Sequence, residues 1–177
     1  MPVALRRLLL LRHAKSSWDE PGLTDHQRPL APRGRRAARD VGLFIRSQGL
    51  LPQRIIASDS CRTRQTAEIV FADPAQRPPI AWLSALYLAS ARQILALIGQ
   101  QEDEAASLLV LGHEPGMGVL ANELGAFGDD GERAAMAAKF PTAALAVIAF
   151  RAERWRHIAA GEGQLIRFVR PRDLAAP

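Results

Sequence analysis

An α/β fold in three layers, with a mostly parallel central sheet and helices on both faces, is predicted by three observations. Short apolar runs alternate with helix-length amphipathic segments along the chain. Two of these runs, Leu8–Leu11 and the "SLLVLG" before His113, are continuously apolar, as strands buried on both faces are. The first leads through Arg12 into His13 and the second directly into His113, at the carboxyl edge where open α/β sheets bind ligands. A length of 177 residues suits one domain over 1–177, with a core large enough to need no disulfide or metal staple.

The elements follow in order. Leu8–Leu11 is the first strand, and Asp19 to Pro32, with three prolines and a glycine, is a long loop over its end. A helix from about Pro32 to Gln48 places Val41, Phe44 and Ile45 on one side, backed by Ala37 and Ala38. Pro32 suits its start and Gly49 its stop, and the cluster Arg33, Arg35, Arg36 and Arg39 falls on its solvated face. Arg54–Ser58 reads as strand two, with Ser58 or Asp59 capping a helix that runs to about Phe71. Pro79–Leu83 is a short third strand. A helix over roughly Ala89 to Gln101 buries Ile94, Leu95, Leu97 and Ile98. Ser107–His113 repeats the opening pattern, and Pro115 opens a helix with Met117, Leu120, Ala121 and Leu124 facing inward. Gly125–Gly131 reads as a loop. Thr142–Phe150 and the segments "RWRHIAA" to "LIRFV" read as strands joined by glycine-containing turns.

Composition excludes several classes. At 48% hydrophobic and 23% charged the chain is ordinary for a soluble globular protein. No run approaches the ~18 apolar residues of a membrane span, and no secretory signal is visible, so a soluble cytoplasmic protein is expected. Cys61 is the only cysteine, which rules out an intramolecular disulfide and a zinc site built on several cysteines. The net charge of +5 rests almost wholly on arginine, since only Lys15 and Lys139 are lysine. Those arginines alternate with acids outside the 33–39 cluster, which disfavours a nucleic-acid partner.

Three strand ends carry the chemistry. Arg12 and His13 follow strand one, Arg62 lies in the first turn of the helix after strand two, and His113 precedes a helix start. In a parallel sheet these points share one rim. Two guanidinium groups, two imidazoles and the adjoining helix N-termini then form a pocket for a dianion, above all a phosphoryl group.

At these residues the sequence resembles the histidine phosphatase superfamily (phosphoglycerate-mutase-like). "RHAKSSW" is similar to its Arg-His-Gly signature, with Ala14 replacing glycine. "SDSCRTRQTA" (Ser58–Ala67) resembles its Ser-Pro-x-x-Arg-x-x-Gln-Thr-Ala element, with Asp59 in place of proline. "VLGHEPGM" (Val110–Met117) resembles the second-histidine motif, and "RPLAPRG" (Arg28–Gly34) the loop-to-helix entry. The Ala-Lys-Ser-Ser-Trp form and "LYLAS" (Leu86–Ser90) look most like the SixA branch, the phosphohistidine phosphatases. The likeness covers Leu8 to about Ala121, and the C-terminal third adds little to it.

The resemblance implies a metal-independent, cofactor-free hydrolase in which His13 is the nucleophile and forms a covalent phosphohistidine. It implies that Arg12 and Arg62 bind the phosphoryl oxygens and that His113 hydrogen-bonds the same group. Mutases and many phosphatases of the superfamily carry a glutamate acid after the third strand, where this chain reads "LSALYLAS". Glu114 can supply that proton or can cap a helix. A nitrogen leaving group demands less acid catalysis than an ester, so phosphohistidine in a protein, such as a phosphotransfer domain of a bacterial signalling relay, is the expected substrate. A small phosphorylated metabolite and a non-catalytic phosphoryl-binding role are the alternatives. Ser16 and Ser17 can hydrogen-bond phosphate or turn the loop. Lys15 is a rim cation or a surface lysine, and Arg28 touches substrate or pairs with Asp25. His26 and His157 read as bystanders, and Trp18 as a packed loop anchor.

Overall fold

Leu8–Leu11 lie at the heart of a seven-stranded sheet, on the strand β1 (Leu5–Arg12). The computed structural model describes residues 5–174. After β1 come α1 (Pro32–Ser47), β2 (Arg54–Ala57), α2 (Cys61–Val70), β3 (Ile80–Trp82), α3 (Ala91–Gly99), β4 (Ser107–Gly112) and α4 (Gly116–Leu124). Then follow β5 (Gly125–Gly128), α5 (Asp130–Ala138), β6 (Leu145–Arg151), β7 (Gly163–Val169) and α6 (Pro171–Leu174). The sheet order is β3-β2-β4-β1-β6-β7-β5. β1, β2, β3 and β4 pair in parallel, as do β5 and β7, while β6 runs antiparallel to both β1 and β7.

The pleat of β1 explains why four consecutive leucines are needed. Leu8 and Leu10 enter the cluster built with α3, α4 and α5. Leu9 and Leu11 enter the opposite cluster, built with Ala38, Val41 and Ile45 of α1 and Ala67 and Val70 of α2. All four are fully buried, each contributing about 1.5–3 kcal/mol of transfer free energy. These are the three layers expected from the alternating pattern.

The C-terminal third departs from expectation. Gly125–Gly128, read as loop, pairs with β7 as the edge strand, and Asp130–Ala138 forms a helix that no periodicity signalled. That helix starts locally, with the Asp129 side chain accepting from the Glu132 backbone N–H at 2.8 Å. Trp155–His157, read as strand, is a 3-10 turn that buries Trp155 completely. Among the described residues no helix is long and apolar enough to cross a membrane.

Candidate active site

The carboxyl ends of β1, β2 and β4 are adjacent because these strands are parallel neighbours. Register makes the alignment close: Arg12 pairs with Gly112, so His13 and His113 each follow by one residue. Their ring centroids lie 5.0 Å apart. Arg62, in the first turn of α2, reaches the same place and donates from Nη2 to His113 Nδ1 at 3.3 Å. His13, Arg62 and His113 are buried and Arg12 is half-buried, so the sheet rim has brought together the four residues singled out from sequence.

Hydrogen-bond partners settle both tautomers. His13 Nδ1 lies 2.8 Å from the Ala14 carbonyl, which can only accept, so Nδ1 carries the proton and Nε2 keeps a free lone pair. His113 Nδ1 faces a guanidinium, which can only donate, so the proton sits on Nε2 and goes to Ser58 Oγ at 2.8 Å. Burial, and then the Arg62 and Arg12 charges, hold the His13 pKa down at about 4 despite its bond to Ala14. Burial first, then His13 and Arg62, press His113 to about 3. Both rings are neutral at physiological pH.

Arg12 donates from Nη1 to the Phe140 carbonyl at 2.8 Å, and its buried Nε–H has no partner among the described residues. Arg62 is held from outside by Asp25: Nη1 donates to the Asp25 carbonyl, and Nη2 to its Oδ2 at 3.0 Å. Asp25 Oδ2 also accepts from Tyr87 Oη at 2.5 Å, and Oδ1 from Arg28 Nη1 at 2.9 Å. The Tyr87 hydrogen bond, followed by those of Arg28 and Arg62, outweighs burial and draws the Asp25 carboxyl down to about 2. Tyr87 stands edge-on to His113 with centroids 5.3 Å apart.

The secondary candidates separate. Arg28 pairs with Asp25 and also donates to Ser16 Oγ at 2.8 Å and the Ser17 carbonyl at 2.9 Å, fastening the loop after β1. Ser16 is buried in that fastening, and Ser17 Oγ is spent on Asp19 at 2.7 Å. Lys15 joins the same loop by its backbone: its carbonyl accepts from Ala31 N–H, and a Cβ at Gly34 would collide with it, so α1 needs glycine there. Glu114 is half-buried rather than exposed. Its Oε1 accepts from the Gly118 backbone N–H at 2.9 Å, in the first turn of α4, and burial raises its pKa although Arg12 opposes this.

Three expectations need correction. Trp18 is not packed inward; it is 73% exposed, and the Arg28 guanidinium lies over its ring. His26 is no bystander by position, since it bonds Asp59 at 2.8 Å and its ring meets Tyr87 at 4.9 Å. The N-cap of α2 is Ser60, because Ser58 has turned to His113 and Asp59 to His26. Tyr87 is a site residue that sequence reasoning passed over, while Ser58 was read only as a helix cap and Asp25 only as a partner of Arg28. Ser58 was findable, because it follows β2 as His13 follows β1. Tyr87, the sole tyrosine, lies beyond the third strand on the same rim.

Against known proteins, the family model described as Histidine phosphatase superfamily (branch 1) matches residues 8–82. An uncharacterized protein of Mycobacterium tuberculosis, Rv1276c, is 35% identical over 166 residues, covering 92% of this chain and 100% of its own. The solved "putative phosphohistidine phosphatase SixA" of Agrobacterium tumefaciens is 30% identical, with a TM-score of 0.77 over 97% of this chain and 99% of that one. The chain belongs to the histidine phosphatase superfamily. Within it the chain falls in the SixA-like branch. The corresponding structure from Nakamurella multipartitia aligns at a TM-score of 0.84 with 26% identity, covering 97% of this chain and 99% of that one. As a histidine phosphatase the protein is a phosphatase hydrolase. Its two departures from the family motifs are accommodated locally. Ala14 is fully buried, and its backbone N–H donates to Thr66 Oγ1 at 3.1 Å, while Asp59 uses its carboxylate on His26.

Proposed function

We propose that this histidine phosphatase removes the phosphoryl group from phosphohistidine in a protein, by way of a covalent phosphoryl-His13 intermediate. His13 Nε2 attacks phosphorus, since it is the imidazole nitrogen that enters with an uncommitted lone pair. Arg62 and Arg12 bind the equatorial oxygens, the uncommitted Nε–H of Arg12 adding a donor. A dianion between Arg62 and His113 favours the imidazolium form, whose Nδ1–H then donates to a phosphoryl oxygen. Water hydrolyses the phosphoryl-enzyme and regenerates His13.

The observation that carries the choice of substrate is the state of the carboxylates. Asp25 is ionised with its pKa near 2 and cannot protonate an alkoxide, and Glu114, although burial raises its pKa, has Oε1 committed to the Gly118 backbone N–H. A phosphorus–nitrogen bond places no such demand on the enzyme. The single cysteine, half-buried and free, fits a reducing cytoplasm, and a phosphotransfer protein of a signalling relay fits the chemistry.

The test is a substrate panel joined to trapping. Phosphohistidine-bearing protein should be turned over with a higher kcat/KM than sugar phosphates, and a phosphoryl donor should leave an acid-labile, base-stable label that His13→Ala removes. Faster turnover of a sugar phosphate would replace this reading by a small-molecule phosphomonoesterase. Binding of phosphoryl groups without label or turnover would leave only a non-catalytic pocket.

A further inference from the structure

A pocket built for a dianion carries a carboxylate at its mouth. Asp25 is the outermost of the converging groups: its side chain is 47% exposed, whereas that of Arg62 is 4% exposed. A carboxylate offers about four acceptor positions, and Arg28, Arg62 and Tyr87 fill three of them. The remaining one, on Oδ1, has no partner among the described residues, and the side chain that carries it is half-exposed.

We propose that Asp25 selects the leaving group, accepting a hydrogen bond from the far N–H of the substrate's phosphorylated imidazolium ring, which then departs as neutral imidazole, and repelling anionic leaving groups. This rests on the phosphohistidine reading above. The transfer then needs no proton donor. Phosphohistidine enters with a proton on its far ring nitrogen. Its P–N bond breaks, the electron pair returns to the substrate ring, and a new P–N bond forms to His13 Nε2. The substrate leaves as a neutral imidazole still holding its proton. His13 becomes a phosphorylated imidazolium still holding its own proton on Nδ1. Each ring's far N–H needs an acceptor to stay oriented, and for His13 that is the Ala14 carbonyl. Asp25 is the corresponding acceptor at the mouth. At about 4 Å and a dielectric appropriate to a protein surface, one full charge changes the relative affinity for cationic and anionic groups tenfold or more.

Simple positioning of Arg62 by Asp25 predicts something different: every substrate should suffer alike. The experiment compares kcat/KM of the wild type, Asp25→Asn, Asp25→Glu and Tyr87→Phe on two probes, a phosphohistidine peptide and p-nitrophenyl phosphate. Asp25→Asn should lower the phosphohistidine-to-ester ratio about tenfold, Asp25→Glu should retain the wild-type ratio within threefold, and Tyr87→Phe, which keeps the charge, should do the same. A ratio that stays within threefold in Asp25→Asn overturns the proposal, even if both rates fall together. Thermal melting of each variant identifies misfolding, which depresses both rates without moving the ratio. A wild type that hydrolyses only the ester defeats the phosphohistidine reading itself. A wild type active on both probes with an unmoved Asp25→Asn ratio defeats only the role of Asp25.

Discussion

His13 and His113 end two neighbouring parallel strands in equivalent register, yet the surroundings of the two strand ends have made different groups of them. Both are buried and both are neutral. His113 has both nitrogens engaged, one by Arg62 and one by Ser58. His13 has only Nδ1 engaged, by its own chain neighbour Ala14, and Nε2 has no partner among the described residues. Identity of residue and register therefore does not decide which ring attacks. The neighbours do, by setting where the proton sits and which lone pair is left.

The largest break in this asymmetry is loss of the attacking ring. His13→Ala should abolish the covalent label and lower kcat by at least about 10⁴-fold, as loss of a nucleophile does elsewhere. Steady-state rates and acid-quenched labelling check it. Arg62→Ala removes the donor that orders His113 and the charge that faces the phosphoryl group, and should cost about 10²–10³-fold in kcat/KM, or ~3–4 kcal/mol. The label should still form slowly, because His13 keeps its tautomer.

Acid titration compares the rings differently. His13 has a folded pKa of about 4 against an ordinary value of 6.5. Above pH 6.5 the ring is neutral in folded and unfolded chains, and the full stability is present. Between about 6.5 and 4 the unfolded chain takes up a proton that the folded one refuses, so stability falls, by ~3 kcal/mol in all once the pH is below the folded value. Urea unfolding at a series of pH values should show His13→Gln losing less stability across that window than the wild type. The smallest effect sharpens the role of the fully engaged ring. Ser58→Ala leaves the His113 Nε2–H without its acceptor, and should destabilise the fold by about 1–3 kcal/mol while leaving the His13 label intact. Chemical denaturation and labelling measure the two parts.

Legibility in the sequence followed the range of the interactions. β1 and β4 were readable because burial on both faces leaves a run with no alternation, and their ends marked the rim. α1 was readable from its spacing and its proline and was found within a residue of the expected bounds. β5 and α5 were not. A four-residue edge strand that begins and ends in glycine carries no period, and α5 buries only Met136 of its own residues. Arg28 shows the intermediate case, since its pairing with Asp25 three residues away was one of two readings, while its bonds to the loop after β1 were not foreseen.

By itself the sequence determined the order of strands and helices, the rim on which chemistry collects and the Arg12, His13, Arg62 and His113 set, because strand burial and motif spacing are local properties of the chain. Only the tertiary structure decided which imidazole keeps its lone pair, that Ser58 holds the other ring, and that Asp25 ties Arg62, Arg28 and Tyr87 together. Asp25 lies 37 residues from Arg62 and 62 from Tyr87, and no local periodicity couples residues so far apart. Their meeting depends on loops closing over the ends of strands packed side by side, and it is there that protons and charges are assigned.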